Sequence, residues 1–102
     1  MSIEKTQRVN RLLDIYENML TNKQKEVMNM YYGYDLSLSE IATELNVSRT
    51  AVFDLIKRTT KLLETYEGNI KVLQLKEKLE KEIEKIDDKN KQKLLDILQD
   101  GE

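Results

Sequence analysis

Apolar positions recur along this chain at spacings of three and four with little interruption, the signature of amphipathic helices following one another. In residues 3–19, Val9, Leu12, Leu13, Ile15, Tyr16 and Met19, with Leu20 just beyond, predict one helix with a broad apolar face. Thr21 and Gln24 then form a capping box that starts a helix to about residue 32, carrying Val27, Met28, Met30 and Tyr31. Residues 33–35 predict a break. Ser37 and Glu40 form a second capping box, with Leu36 and Ile41 at the hydrophobic-staple positions around it. Ser48 caps the next helix, with Val47 and Val52 at the same staple positions. Ile41, Ala42, Leu45, Val47, Val52 and Ile56 can pack these two short segments together, small Ala42 allowing close approach. Two helices joined by a tight turn in this way are a helix-turn-helix, whose second helix normally enters the DNA major groove.

The second helix is expected from residue 49 to about 67, ended by the C-cap chemistry of Gly68-Asn69. Beyond it the composition changes. Val72, Leu75, Leu79, Ile83 and Ile86 are separated almost entirely by Lys and Glu, a solvated face. Asp87-Asp88 predicts a new start, and a last helix carries Leu94, Leu95, Ile97 and Leu98. The expected organisation is a helix-turn-helix domain over residues 1–67 and a C-terminal helical extension over 68–102. Two such helices cannot bury their apolar stripes alone. They pack on the first 67 residues, on a second copy of the chain or on a partner, and a homodimer is expected.

Composition narrows the function. The 102 residues are 39% hydrophobic and 35% charged, with no Pro and three Gly, which suits a soluble helical protein. No apolar run reaches the roughly 18 residues of a membrane span. The first ten residues are polar and lack a signal-peptide core, so a cytoplasmic location without membrane insertion is expected. There is no Cys and no His, hence no disulfide, thiol nucleophile, imidazole base or ordinary zinc site. Nothing gathers the carboxylates and lysines around a phosphate loop or a metal-binding spacing. No enzyme activity, catalytic residue, metal or cofactor is expected.

The net charge of −2 is unusual for a nucleic-acid binder. Residues 1–45 carry five basic and seven acidic side chains, residues 46–67 four and three, and residues 68–102 eight and nine. Only the segment holding the second helix is positive, so affinity for a polyanion would rest on local placement. Ser48, Arg49, Thr50, Asp54, Lys57 and Lys61 are the candidate nucleic-acid contacts. Arg49 could take a guanine edge or a phosphate, Thr50 a phosphate or a thymine methyl, Asp54 a cytosine amine, and the lysines phosphates. Each has a plainer reading. Arg49 also suits a solvated first-turn residue, and Arg58 suits pairing with a carboxylate or packing its stem. Tyr31, Tyr32 and Tyr34 could stack bases but fit core and edge packing better, and Met19, Met28 and Met30 suit core filling.

The stretch LTNKQKEVMNMYYGYDLSLSEIATELNVSRTAVFDLIKRTTKLL resembles region 4 of bacterial sigma factors, which reads a promoter element. The shared frame is Leu20-Thr21, Gln24, Glu26-Val27, Tyr32, Leu36-Ser37, Glu40-Ile41-Ala42, Leu45, Val47-Ser48, Val52, Ile56 and Arg58. Most of these are caps or core positions, so the likeness implies a fold: the winged-helix-like DNA-binding superfamily without a wing. Phe53 and Asp54 depart from it, standing where such readers carry polar or basic groups. A closer similarity covers nearly the whole chain. YYGYDLSLSEIA, VSRTAVFDLIKR and LLETYEGNIKVLQL, in this order, resemble the YlxM family of small bacterial helix-turn-helix proteins. That resemblance implies a regulator associated with the signal recognition particle pathway, acting on DNA or as an adaptor for the particle's protein or RNA. Phe53-Asp54 fits the YlxM-type pattern AVFDLIKR, where an aromatic could equally anchor a protein contact or plug a dimer core.

Overall fold

The computed structural model describes residues 3–100, so the terminal residues of both expected segments lie outside the described residues. Within it the chain is all-α: α1 Ile3–Tyr16, α2 Asn22–Met28, α3 Leu38–Leu45, α4 Arg49–Ile70, α5 Val72–Ile83 and α6 Asp88–Asp100, with no strand among the described residues. Contacts divide it into two compact units that meet at Ile70 and Lys71.

In the first unit α1 buries Val9, Leu12, Leu13 and Tyr16, one face at helical spacing. The helix stops three residues earlier than the pattern predicts. At Tyr16 the backbone leaves α geometry, and Glu17–Met19 form a single 3-10 turn closed by Leu20 N–H donating to the Glu17 carbonyl at 3.0 Å. Leu20 turns into the core and Met19 is swung outward, 49% exposed, so Met19 does not fill the core as expected. Thr21 and Gln24 make both bonds of their capping box, at 3.2 and 2.9 Å. α2 then loosens into a π turn over Asn29–Gly33, with Tyr34 N–H donating to the Asn29 carbonyl five residues back. Asp35, not Gly33, takes the left-handed conformation in the break (φ 58°), which a short polar side chain tolerates. Tyr32 is buried as expected of the tyrosine group, whereas Tyr34 is 77% exposed.

α4 is the central element, packing against α1, α2 and α3. Its inward stripe is Val52, Ile56, Thr59, Leu63 and Glu67. Two links tie its far half to α1. Arg8 holds Glu64 with two parallel bonds of 2.8 and 2.7 Å at the surface. Deeper, the Tyr16 hydroxyl donates to Glu67 Oε1 at 2.7 Å, with the Tyr16 and Tyr66 rings 6.1 Å apart. These contacts lie at the end of α4 where the sequence predicts termination. The helix instead runs through Gly68 and Asn69 to Ile70, and Lys71 takes the left-handed conformation expected near Gly68 (φ 62°). A glycine inside a helix costs only about 1 kcal/mol relative to Ala, and the buried contacts of Leu63 and Glu67 hold the last turns regardless.

In the second unit α5 and α6 contact each other. Asp87 caps α6, accepting the Asn90 N–H at 3.2 Å, and this holds its carboxyl below the usual range. Lys91 pairs with Glu84 at 2.6 Å. Leu73 and Ile83 are buried, whereas Leu75, Leu79, Ile86, Leu94 and Ile97 stay exposed.

Candidate nucleic-acid interface

The helix-turn-helix is α3, the turn Asn46-Val47-Ser48, and α4. α3 begins at Ser37, whose hydroxyl accepts the Glu40 N–H at 3.0 Å while the Glu40 carboxylate accepts the Ser37 N–H at 3.0 Å. Those bonds hold the Glu40 carboxyl below its ordinary value. Ile41 and Ala42 are buried against the rest of the unit. α3 ends as Asn46 adopts the left-handed conformation (φ 55°, ψ 47°) and Val47 N–H donates to the Ala42 carbonyl at 3.0 Å. Asn is a frequent substitute for Gly in that role. Ser48 then caps α4, its hydroxyl accepting the Ala51 N–H at 3.0 Å. The turn is therefore fixed on both sides by local bonds, which sets the direction in which α4 leaves it.

With Val52, Ile56, Thr59 and Leu63 inward, helical periodicity puts Thr50, Asp54, Lys57 and Lys61 on the opposite face. All four are exposed, as are Arg49 and Phe53 beside them. Arg49, Lys57 and Lys61 make no ion pair among the described residues, so their charge is directed to solvent along about 18 Å of helix. Ser48 lies at the start of this row with its oxygen already used as the cap. Arg58 flanks it and donates to the Asp54 carbonyl at 3.4 Å; no carboxylate pairs with Arg58 among the described residues. Of the expected contacts, Thr50, Asp54, Lys57 and Lys61 form one outward stripe, while Ser48 and Arg49 lie at the helix N-terminus, whose free N–H groups and dipole also favour an anion. Asp54 is the single acid on the stripe.

Beside the stripe the structure opens a groove of about 290 Å³ that sequence reasoning did not find. Phe53, 46% exposed, and Lys57 form its α4 wall; Tyr31 and Tyr32 come from the π turn, Leu38 from α3 and Lys5 from α1. The two tyrosine rings meet edge to face at 4.9 Å. Burial pushes the Tyr32 hydroxyl above its ordinary pKa, offset in part by the Thr60 hydroxyl beside it. Thr60 Oγ1 is itself buried and outside hydrogen-bond geometry with any partner among the described residues. The sequence signals for this groove were Phe53, an aromatic where a polar reader is expected, and the Tyr31-Tyr32 pair, which could stack bases but fitted packing better. The other walls come from segments distant in the sequence. No group of His, Cys, Asp or Glu suited to a metal ion occurs among the described residues, and no described helix is long and apolar enough to cross a membrane.

Comparison with known proteins agrees with this geometry. A family model described as "Putative helix-turn-helix protein, YlxM / p13 like" matches residues 3–100. The chain is 56% identical over 70 residues to a UPF0122 protein of Lactiplantibacillus plantarum, covering 69% of this chain and 61% of that one. It is 55% identical over 73 residues to the UPF0122 protein YlxM of Bacillus subtilis, covering 72% and 66%. A Pediococcus pentosaceus relative is 53% identical over 73 residues, covering 72% and 65%. The match spans less than two thirds of the length of these relatives. With nearly every residue inside the family model and the helix-turn-helix in place, the chain belongs to the YlxM / p13-like helix-turn-helix family.

Proposed function

We propose that this chain is a non-enzymatic, cytoplasmic regulatory protein that binds nucleic acid, DNA first, through the outward stripe of α4, and takes part in the signal recognition particle pathway. The observation that carries the reading is the set of exposed, unpaired cations on α4: Lys57 and Lys61 on the face opposite its core, and Arg49 at its first turn. A salt-bridged surface would leave little charge for a phosphate backbone; this one leaves those three, with Arg58 beside them as a fourth. Their number also bounds the affinity, because each phosphate neutralised contributes a slope of about −0.9 to log K against log salt on duplex DNA. The membership of a helix-turn-helix family supports the same reading. The pathway rests on the family resemblance alone.

Self-association accompanies it. Leu75, Leu79 and Ile97 expose 57%, 41% and 53% of their surface on α5 and α6, and a homodimer covering them would present two α4 stripes to paired half-sites. Light scattering of Leu79→Glu and Ile97→Glu variants against the parent chain reads this directly: a dimer falls to monomer, and identical masses would discard it.

Fluorescence anisotropy with duplex DNA across a salt series tests the α4 reading. Arg49→Ala weakens binding by about 1–3 kcal/mol, and Lys57→Ala and Lys61→Ala each flatten the salt slope by about one. Unchanged binding in all three variants would remove α4 from the mechanism. A second reading is favoured by Phe53, whose exposed ring suits a partner surface: the fold serves as an adaptor for the particle's protein or RNA. Co-purification that survives nuclease and high salt supports a protein contact; its loss on nuclease treatment supports RNA.

A further inference from the structure

The groove beside the α4 stripe combines three chemical features. Phe53 and Tyr31 offer aromatic surface, with Leu38 adding an apolar wall. Lys57 belongs both to the groove and to the cationic stripe, and Lys5 is a second lining cation, whereas no carboxylate lines it. Thr60 adds a hydroxyl to the wall, its oxygen buried beside the Tyr32 hydroxyl. The volume of about 290 Å³ lies at the lower edge of the roughly 300–1,000 Å³ typical of ligand clefts, which suits one flat ring system.

A phenyl ring has no hydrogen-bonding group with which to read a base edge in a duplex groove, where only the thymine methyl offers apolar contact. The flat face of a base is a different target, and it is available only when the base is unstacked. The continuity of the groove with Lys57 and, one turn further along the helix, Lys61 supplies charge for the phosphates of the same strand. We propose that this groove receives a single unpaired nucleotide of a nucleic-acid strand, its base against Phe53 and Tyr31 and its phosphate at Lys57. This rests on the α4 reading and adds one contact to it: a strand with at least one unstacked base engages the groove as well as the stripe, whereas continuous duplex engages the stripe alone.

The test uses the full chain with fluorescein-labelled single-stranded RNA and DNA oligonucleotides of mixed sequence, the matching duplex, and free nucleoside monophosphates as competitors. The strand is expected to bind more tightly than the duplex. Phe53→Ala should weaken the strand about 5- to 150-fold, the value of one lost base–aromatic stack, with little effect on the duplex, and Phe53→Tyr should restore it. Because the chain contains no Trp, Phe53→Trp supplies a unique emission that strand binding should quench and duplex binding should not. Equal losses on strand and duplex in Phe53→Ala, or unquenched emission, overturn the proposal. So do free monophosphates that match the strand per nucleotide, since the ligand is then a free nucleotide. If duplex binding depends on Lys57 and Lys61 while Phe53→Ala changes nothing, the groove proposal fails and the α4 reading stands. Absence of binding to any of these probes removes both.

Discussion

Tyr16→Phe deletes one oxygen atom and tests what fixes the far end of α4. That hydroxyl donates to Glu67 Oε1 at 2.7 Å between residues only 2% and 7% exposed. A hydrogen bond to a charged group contributes about 1.5–3 kcal/mol to stability, and more is lost when its partner is left buried. Glu67 keeps a further interaction, which places the expected loss toward about 1.5–2 kcal/mol of that range. The neighbouring Arg8–Glu64 link is an internal control, because it joins the same two helices at the surface, with side chains 46% and 42% exposed. Exposed pairs contribute about 0.2–1 kcal/mol even with good geometry. Urea unfolding followed by far-UV circular dichroism should therefore show a midpoint shift on the order of 1 M for Tyr16→Phe at unchanged slope. Arg8→Gln should move the midpoint by less. A shift for Tyr16→Phe no larger than that for Arg8→Gln would refute the assignment of the buried bond as the stronger clamp. Nucleic-acid binding at the opposite end of α4 should persist in both variants wherever they are folded.

Three further outcomes follow from the same structure. Gly68→Ala should raise stability by about 0.4–1 kcal/mol, since Gly68 lies within α4 and a Cβ there meets nothing within 4 Å; lowered stability would mean that Gly68 serves as a left-handed cap after all. Thr59→Val should raise stability by about 1 kcal/mol in urea unfolding, because the Thr59 hydroxyl is buried without a partner among the described residues; a drop would reveal a bond that this arrangement lacks. The Arg8 guanidinium bonded to Glu64 holds that carboxyl below its ordinary 4.5. The folded state thus binds the proton less tightly than the unfolded chain, so the contribution is complete above pH 4.5 and declines as pH falls through the lowered value. The gap between the parent chain and Arg8→Gln should be widest near neutrality and close in acid, and a gap that persists in acid would separate it from Glu64 ionisation.

Features written within four residues were legible from the sequence. The capping boxes at Thr21 and Ser37 form with the partners their spacing predicts, and the starts expected at Ser48 and Asp87-Asp88 are capped by Ser48 and Asp87, because each bond closes over three residues and needs nothing else. Val52 and Ile56 on the core face of α4 follow from periodicity for the same reason, whereas the burial of polar Thr59 and Glu67 on that face does not. Features decided by distant residues were not legible. Met19 repeats the apolar spacing of α1, yet a single 3-10 turn places Leu20 inside in its stead. Gly68 carries the chemistry of a helix end, but tertiary contacts at Leu63 and Glu67 outweigh it. In the candidate interface, the outward placement of Thr50, Asp54, Lys57 and Lys61 is a matter of register and was readable, whereas Arg49 is exposed because it stands at the start of the helix. The groove was not readable, because Lys5, Tyr31 and Leu38 reach Phe53 only through the packing of α1, the π turn and α3 around α4.

The capping boxes at Thr21 and Ser37 and the cap at Ser48 also bear on the route by which the first unit assembles. Helix nucleation is the unfavourable step, since several dihedral angles must be fixed for one bond. A cap that supplies extra bonds in the first turn lowers that barrier at the same place in every molecule. Three successive helices here begin at such fixed points, so the register between α3 and α4 is specified by local bonds alone. Chains dominated by local contacts of this kind fold on about the microsecond-to-millisecond scale. The helix-turn-helix is in these terms a local starting point for assembly: the residue at which α4 begins is fixed by its own cap and does not need the docking of α1.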